Sequence, residues 1–197
     1  AFIQKSWSIG DGWFGRLAGG YFEIAYGGLA GELLYKEAGA RWAIGVEGAL
    51  VAKRKYSGLT FTRRIRRLVG YSPTYKTNYT GSQYFLSLYY DIPQPLGLRG
   101  QLRVGQFLAR DVGARLDIQR VFRNGTSLGY WVSWTNARDV VNGQRFFDQG
   151  VSFSIPLDLF SPRSTRRSLK VASSFWLRDT GAFSATGKTL APVLFER

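Results

Sequence analysis

The chain has no cysteine and no histidine. The first absence removes disulfides and thiolate chemistry, and the second removes the imidazole on which most zinc sites and activated-nucleophile triads depend. No apolar run approaches the roughly 18 residues that a membrane-spanning helix needs, so a helical membrane protein is not expected. Acidic residues are scarce: 13 Asp and Glu face 27 Lys and Arg, a net charge of +14. That excess points to an anionic partner such as nucleic acid, lipid headgroups or an acidic polymer, without choosing among them. No signal-peptide pattern opens the sequence; AFIQKSWSIGDGW reads as strand, turn and aromatic, so the numbering is expected to begin inside a mature or larger polypeptide.

What is present leans toward β structure. The 197 residues are 45% hydrophobic and include six Trp, eleven Tyr, fourteen Phe and 24 Gly, enough for one substantial domain. Period-two segments recur at 2–9, 14–26, 28–36, 41–53, 83–91, 98–107, 114–122, 127–135, 150–158, 169–178 and near 192–196. Between them stand turn signals, of which Asn124-Gly125 is the strongest and Asp11-Gly12 and Asn142-Gly143 are weaker. Longer loops are expected at 58–81, 136–149 and 161–168. Nothing reads as a linker, so 1–197 is taken as a single antiparallel up-and-down sheet.

Each strand divides into two unlike faces. Trp42, Ile44, Val46 and Leu50 share one parity of 41–53, whereas Arg41, Ala43, Gly45, Glu47 and Lys53 share the other. In 127–135 the division is Leu128, Tyr130, Val132 and Trp134 against Ser127, Gly129, Trp131 and Ser133. Such alternation fits a soluble barrel or carbohydrate-binding β-sandwich that buries its apolar face, and equally a transmembrane barrel that turns the same face to lipid. Strands of about ten residues and aromatics gathered at strand ends favour lipid. The alternation lapses at 106–110, where a bulge would exchange the faces.

The stretches GYFEIAYGGLAGELLYK, RWAIGVEGALVAKRKY, SLYYDIPQPLGLRGQLRVGQFLARDVGARLDIQRVFRNGTSLGYWVSWTN and FFDQGVSFSIPLDL resemble the YjbH-like (GfcD-like) family of bacterial exopolysaccharide and capsule operons. The resemblance covers about 12–160, is carried above all by GELLY, ARDVGARLD and DQGVSFSIPLDL, and is weakest after Arg178. It implies an outer-membrane β-barrel of about 10–12 strands, and family members are usually longer, so this chain would be one barrel or the C-terminal part of such a protein. Under that reading Trp42, Ile44, Leu128, Tyr130, Val132 and Trp134 face lipid, and the large inward Trp131 narrows the lumen.

The inward parity then carries Arg41, Lys53, Arg99, Arg103, Arg115, Lys170 and Arg178, candidates for contact with an acidic polysaccharide through a net-basic lumen. The alternative is that these charges satisfy one another across neighbouring strands. Two basic clusters outside the strands, Arg63, Arg64, Arg66 and Arg67, then Arg163, Arg166 and Arg167, are candidates for lipid or lipopolysaccharide headgroups. Nucleic acid is not expected, because the aromatics alternate within strands instead of forming stacking platforms. For catalysis the inward carboxylates Glu32, Glu47 and Asp117 are the available acid/base candidates, and nothing fixes their spacing. The expectation is export or surface assembly of an acidic exopolysaccharide, with no enzyme activity, metal or cofactor; a barrel scaffold recruiting other polysaccharide-export proteins is the alternative.

Overall fold

A computed structural model describes residues 1–55, 58, 60–62, 64–69, 72–78, 81–108, 110–136, 140–141, 144–145, 147–160, 168–174 and 181–195. The strands among the described residues, all paired antiparallel, are β1 (Phe2–Gly10), β2 (Trp13–Tyr21), β3 (Tyr26–Tyr35), β4 (Trp42–Arg54), β5 (Phe61–Thr62), β6 (Arg64–Val69), β7 (Ser72–Asn78), β8 (Gly81–Ile92), β9 (Leu98–Gln106), β10 (Val112–Val121), β11 (Ser127–Thr135), β12 (Val140–Val141), β13 (Gln144–Arg145), β14 (Asp148–Pro156) and β15 (Ser168–Ser174); β6–β7 and β12–β13 are separate pairs. The main sheet has 11 strands among the described residues, in the order β1-β2-β3-β4-β8-β9-β10-β11-β14-β15, with β5 appended to β4. It is not closed: no ladder joins β1 to β15 among the described residues.

Turn chemistry explains where strands stop. Asp11 and Gly12 have φ of 48° and 82°, the double positive φ that a two-residue hairpin requires, so this turn is tighter than its sequence suggests. At Asn124-Gly125 only the glycine is left-handed, at φ 80°, and the Asn124 side chain accepts from the Thr126 amide within a longer loop. Asn142-Gly143 lies outside the described residues.

Four expectations change. The stretch 58–81 holds β5 and a separate hairpin, β6 with β7, because strand pairing uses backbone groups that a basic side-chain run does not block. The expected loop 136–149 contains the small β12–β13 pair. The lapse at 106–110 is a turn outside the ladder: Gln106 ends β9, Arg110 has φ 67°, and Phe107 and Leu108 fold inward. The segment near 192–196 is helical, not a strand, with α1 spanning Leu190–Phe195; Pro192 lies in the first turn, where its missing N–H costs little.

The sheet wears its apolar side outward. Along β4, Trp42, Ile44, Val46 and Leu50 are exposed while Ala43, Gly45, Ala49 and Val51 are buried. On β11, Leu128, Tyr130 and Trp134 are exposed and Val132 is half-buried, whereas Ser127, Gly129 and Ser133 are buried. What buries the small and polar face is segment 181–195. Gly181 lies against Ser133 and Asp148, and Gly187 against Phe2 and Gln4. In a flat sheet β1 and β14 would stand about 38 Å apart at ~4.8 Å per strand. Six residues reach only about 22 Å fully extended, and side chains supply a few more, so the sheet must curl with its polar face concave.

Candidate functional site

The concave face is organised by arginines. Arg16 on β2 and Glu32 on β3 are direct cross-strand partners, with Nε to Oε2 at 2.7 Å and both side chains shielded from solvent. Arg16 also donates to the carbonyl (2.6 Å) and hydroxyl (3.2 Å) oxygens of Thr186. The Glu32 oxygens accept from the Leu190 amide at 3.1 Å, which caps α1 with a carboxylate from a distant strand.

A second cluster lies toward β9–β14. Arg103 pairs with Glu47 at 3.3 Å and Asp117 at 3.7 Å; Arg115 pairs with Asp117 at 2.9 Å and Asp148 at 3.5 Å. Their guanidinium carbons sit 4.8 Å and 5.0 Å from the centre of the Phe183 ring, and Arg115 also covers Trp131 at 5.1 Å. Two cations thus meet three carboxylates. Arg103 and Arg115 are buried and ion-paired with these carboxylates, while Nε of Arg103 has no hydrogen-bond partner among the described residues.

Beyond this cluster, between α1 and β9–β15, opens a cleft of about 660 Å³. Gln101, Asp117, Gln119, Ser152 and Lys170 line it, Trp131 forms an aromatic wall, and Ala191, Pro192 and Phe195 supply the helix side. Arg99 reaches it while held by Asp91 at 2.8 Å and the Phe195 carbonyl at 3.1 Å. Lys170 on β15 is exposed. Nε2 of Gln101 is buried and has no hydrogen-bond partner among the described residues. Amides, hydroxyls and a carboxylate beside an aromatic ring match the hydroxyls and apolar ring faces of a sugar, and a lysine at the rim matches an acidic substituent. Among the described residues no group of three or more metal-ligating side chains occurs.

The predicted polymer contacts therefore separate. Arg99 and Lys170 share the cleft, and Arg103 and Arg115 share the ion-pair cluster. Arg41 is exposed beside the Asp91 end of β8, to which its carbonyl is bonded, and Lys53 lies half-buried at the opposite end of β4. Arg178 lies outside the described residues, as do Arg63, Arg163, Arg166 and Arg167. Arg64, Arg66 and Arg67 are on β6 instead of in a loop. Sequence reasoning missed Arg16, Phe183 and Thr186; strands at 14–26 and 28–36 do not place Arg16 opposite Glu32, which pair because β2 ends at Tyr21 and β3 starts at Tyr26.

Outside, aromatic residues mark both ends of the exposed face. Trp13, Tyr35 and Trp42 form a chain with ring centroids 5.1 Å and 6.0 Å apart. Tyr90 is the register partner of Trp42. At the other end Tyr21 stacks on Phe61 at 5.2 Å.

Known proteins place the chain at the level of family. The profile of the YjbH family, described as "Exopolysaccharide biosynthesis protein YbjH", matches residues 1–194, so the likeness continues well past Arg178. The "Uncharacterized lipoprotein YjbH" of Escherichia coli (strain K12) is 31% identical over 173 residues, covering 88% of this chain and 23% of that protein. The chain therefore spans about a quarter of the length of this curated relative. No solved structure matches. On the profile match and this identity, the chain belongs to the YjbH exopolysaccharide-biosynthesis family.

Proposed function

We propose that this chain is an outer-membrane element of exopolysaccharide export or surface assembly, docking an acidic polymer on its concave face without chemistry of its own. The observation that carries this reading is the inverted sheet: large apolar residues exposed outside, small and polar residues buried inside. Ala52, the register partner of Gly27 beside Tyr21, is ten residues from Trp42, about 33 Å along a strand. At the ~40° tilt usual in barrels this becomes about 25 Å, the height of an outer-membrane apolar band between aromatic girdles. Open edges are not tolerated in hydrocarbon, so β1 and β15 must be paired there. Ten strands along the meander leave the first and last antiparallel, the parity that a closed up-and-down barrel needs.

Polymer contact falls to the cleft, where Lys170 offers an exposed cation and Arg99 a second one. The basic runs at 63–67 and 163–167 are assigned to lipopolysaccharide or lipid headgroups. The ion-paired Arg103 and Arg115 network favours a second reading, a scaffold that recruits other export components. Lys170→Glu discriminates between the two. A polymer-docking protein should insert normally yet lose surface polymer and salt-sensitive binding of an acidic polysaccharide; a scaffold should be indifferent to the change.

A further inference from the structure

Segment 181–195 fills the inside of the sheet with contacts that a polysaccharide could replace group for group. Gln83 donates to the Ser184 carbonyl at 2.9 Å and accepts from the Ser184 amide at 2.8 Å. Gln4 does the same with Lys188, at 2.7 Å and 3.0 Å. Arg16 holds a carbonyl and a hydroxyl of Thr186, and Arg103 and Arg115 hold the face of Phe183. Hydroxyls, carboxylates and the C–H face of a sugar ring present the same acceptors, donors and apolar surface to these side chains.

The segment is also mechanically joined to the cleft. Ala191, Pro192 and Phe195 form one wall of it, so anything that enters presses on α1. From Gly181, beside Ser133 and Asp148, the chain crosses the concave face to Gly187, against Phe2 and Gln4 of β1. Apart from Phe183, residues 181–188 hold to the sheet mainly through polar groups, whereas Leu190 and Ala191 anchor α1 in an apolar cluster with Leu34, Ala43 and Tyr89.

We propose that residues 181–188 are a displaceable plug, and that the track beneath them, Arg16, Gln83, Arg103 and Arg115, is a second binding site for an acidic glycan entering from the cleft. The plug is the resident ligand of that track. A glycan carboxylate takes the place of the Thr186 oxygens at Arg16, and a sugar ring that of Phe183 between Arg103 and Arg115. This rests on the polymer-docking reading above and adds how the interior would open.

The experiment is amide hydrogen exchange on the intact chain in detergent micelles, with polygalacturonate as probe and neutral dextran as control. Polygalacturonate should speed exchange at the Gly181, Ser184 and Lys188 amides by about tenfold or more, while the β2–β4 ladder and the dextran sample stay unchanged. Phe183→Ala, which weakens the plug, should tighten polygalacturonate binding by about fivefold. If polygalacturonate binds through Lys170 but these amides do not respond, the plug is a fixed part of the fold and the proposal fails, while the docking reading survives. Unchanged affinity in Phe183→Ala also overturns it, and no binding at all overturns both.

Discussion

Arg16 and Glu32 face each other across β2 and β3 with 2.7 Å between Nε and Oε2, and neither side chain reaches solvent. One ion pair thereby joins a hairpin to segment 181–195, since Arg16 also holds Thr186 and Glu32 also holds the Leu190 amide. A buried pair of this kind is costly to break from one side, because the remaining charge has neither water nor partner.

Arg16→Ala should lower stability by roughly 3–5 kcal/mol, seen as a fall in the unfolding midpoint in detergent. Arg16→Ala with Glu32→Ala should recover part of that loss, giving a favourable coupling energy in the double-mutant cycle. Additive single losses would mean that Arg16 and Glu32 hold the segment independently and not as a pair.

The two faces should answer differently to the same change. Ile44→Arg or Val132→Arg puts a charge on the apolar face and should destabilise the inserted protein by about 2–4 kcal/mol near the bilayer midplane. Gly129→Ala acts from the inner face by crowding, because its new Cβ would lie 2.4 Å from Oγ of Ser152. Ser152→Gly should relieve it. Refolding into vesicles at graded urea measures both effects, and equal tolerance on the two parities would refute the face assignment.

The division of each strand into an exposed and a buried face was legible in the sequence because strand parity is a local property: Ser127, Gly129 and Ser133 declare one side of β11 and Leu128, Tyr130 and Trp134 the other. Membership of the family was legible through GELLY and DQGVSFSIPLDL. The fate of the inward arginines was not, since pairing of Arg103 with Glu47 and Asp117 depends on the register of β4, β8, β9 and β10 together. Nor was α1, whose capping carboxylate, Glu32, stands 158 positions earlier in the chain.

Removing the paired and the unpaired cations should therefore give distinct phenotypes. Arg103→Gln with Arg115→Gln leaves Glu47, Asp117 and Asp148 facing one another and should lower thermal stability by several kcal/mol. Lys170→Gln should leave stability within about 0.5 kcal/mol of the parent and reduce binding of acidic polysaccharide. Thermal unfolding and polymer binding on the same preparations separate the two. Stability loss with Lys170→Gln would place that lysine in the framework.

A glycine tests how closely the inner strands approach. A Cβ on Gly113 would lie 2.0 Å from the Trp134 carbonyl oxygen, a contact that side-chain motion cannot relieve. Gly113→Ala should therefore force β10 and β11 apart and speed hydrogen exchange along their ladder, whereas Gly48→Ala, with nothing closer than 3.8 Å, should not.

Three tryptophans read directly which face of the sheet meets lipid. In single-tryptophan variants reconstituted into vesicles, bromine-labelled acyl chains should strongly quench Trp42 and Trp134, which lie on the exposed apolar face, and spare Trp131, which lines the cleft under Arg115. Trp42 and Trp134 untouched by brominated chains, with the protein monodisperse in plain buffer, would contradict the account and return the sheet to a soluble β domain.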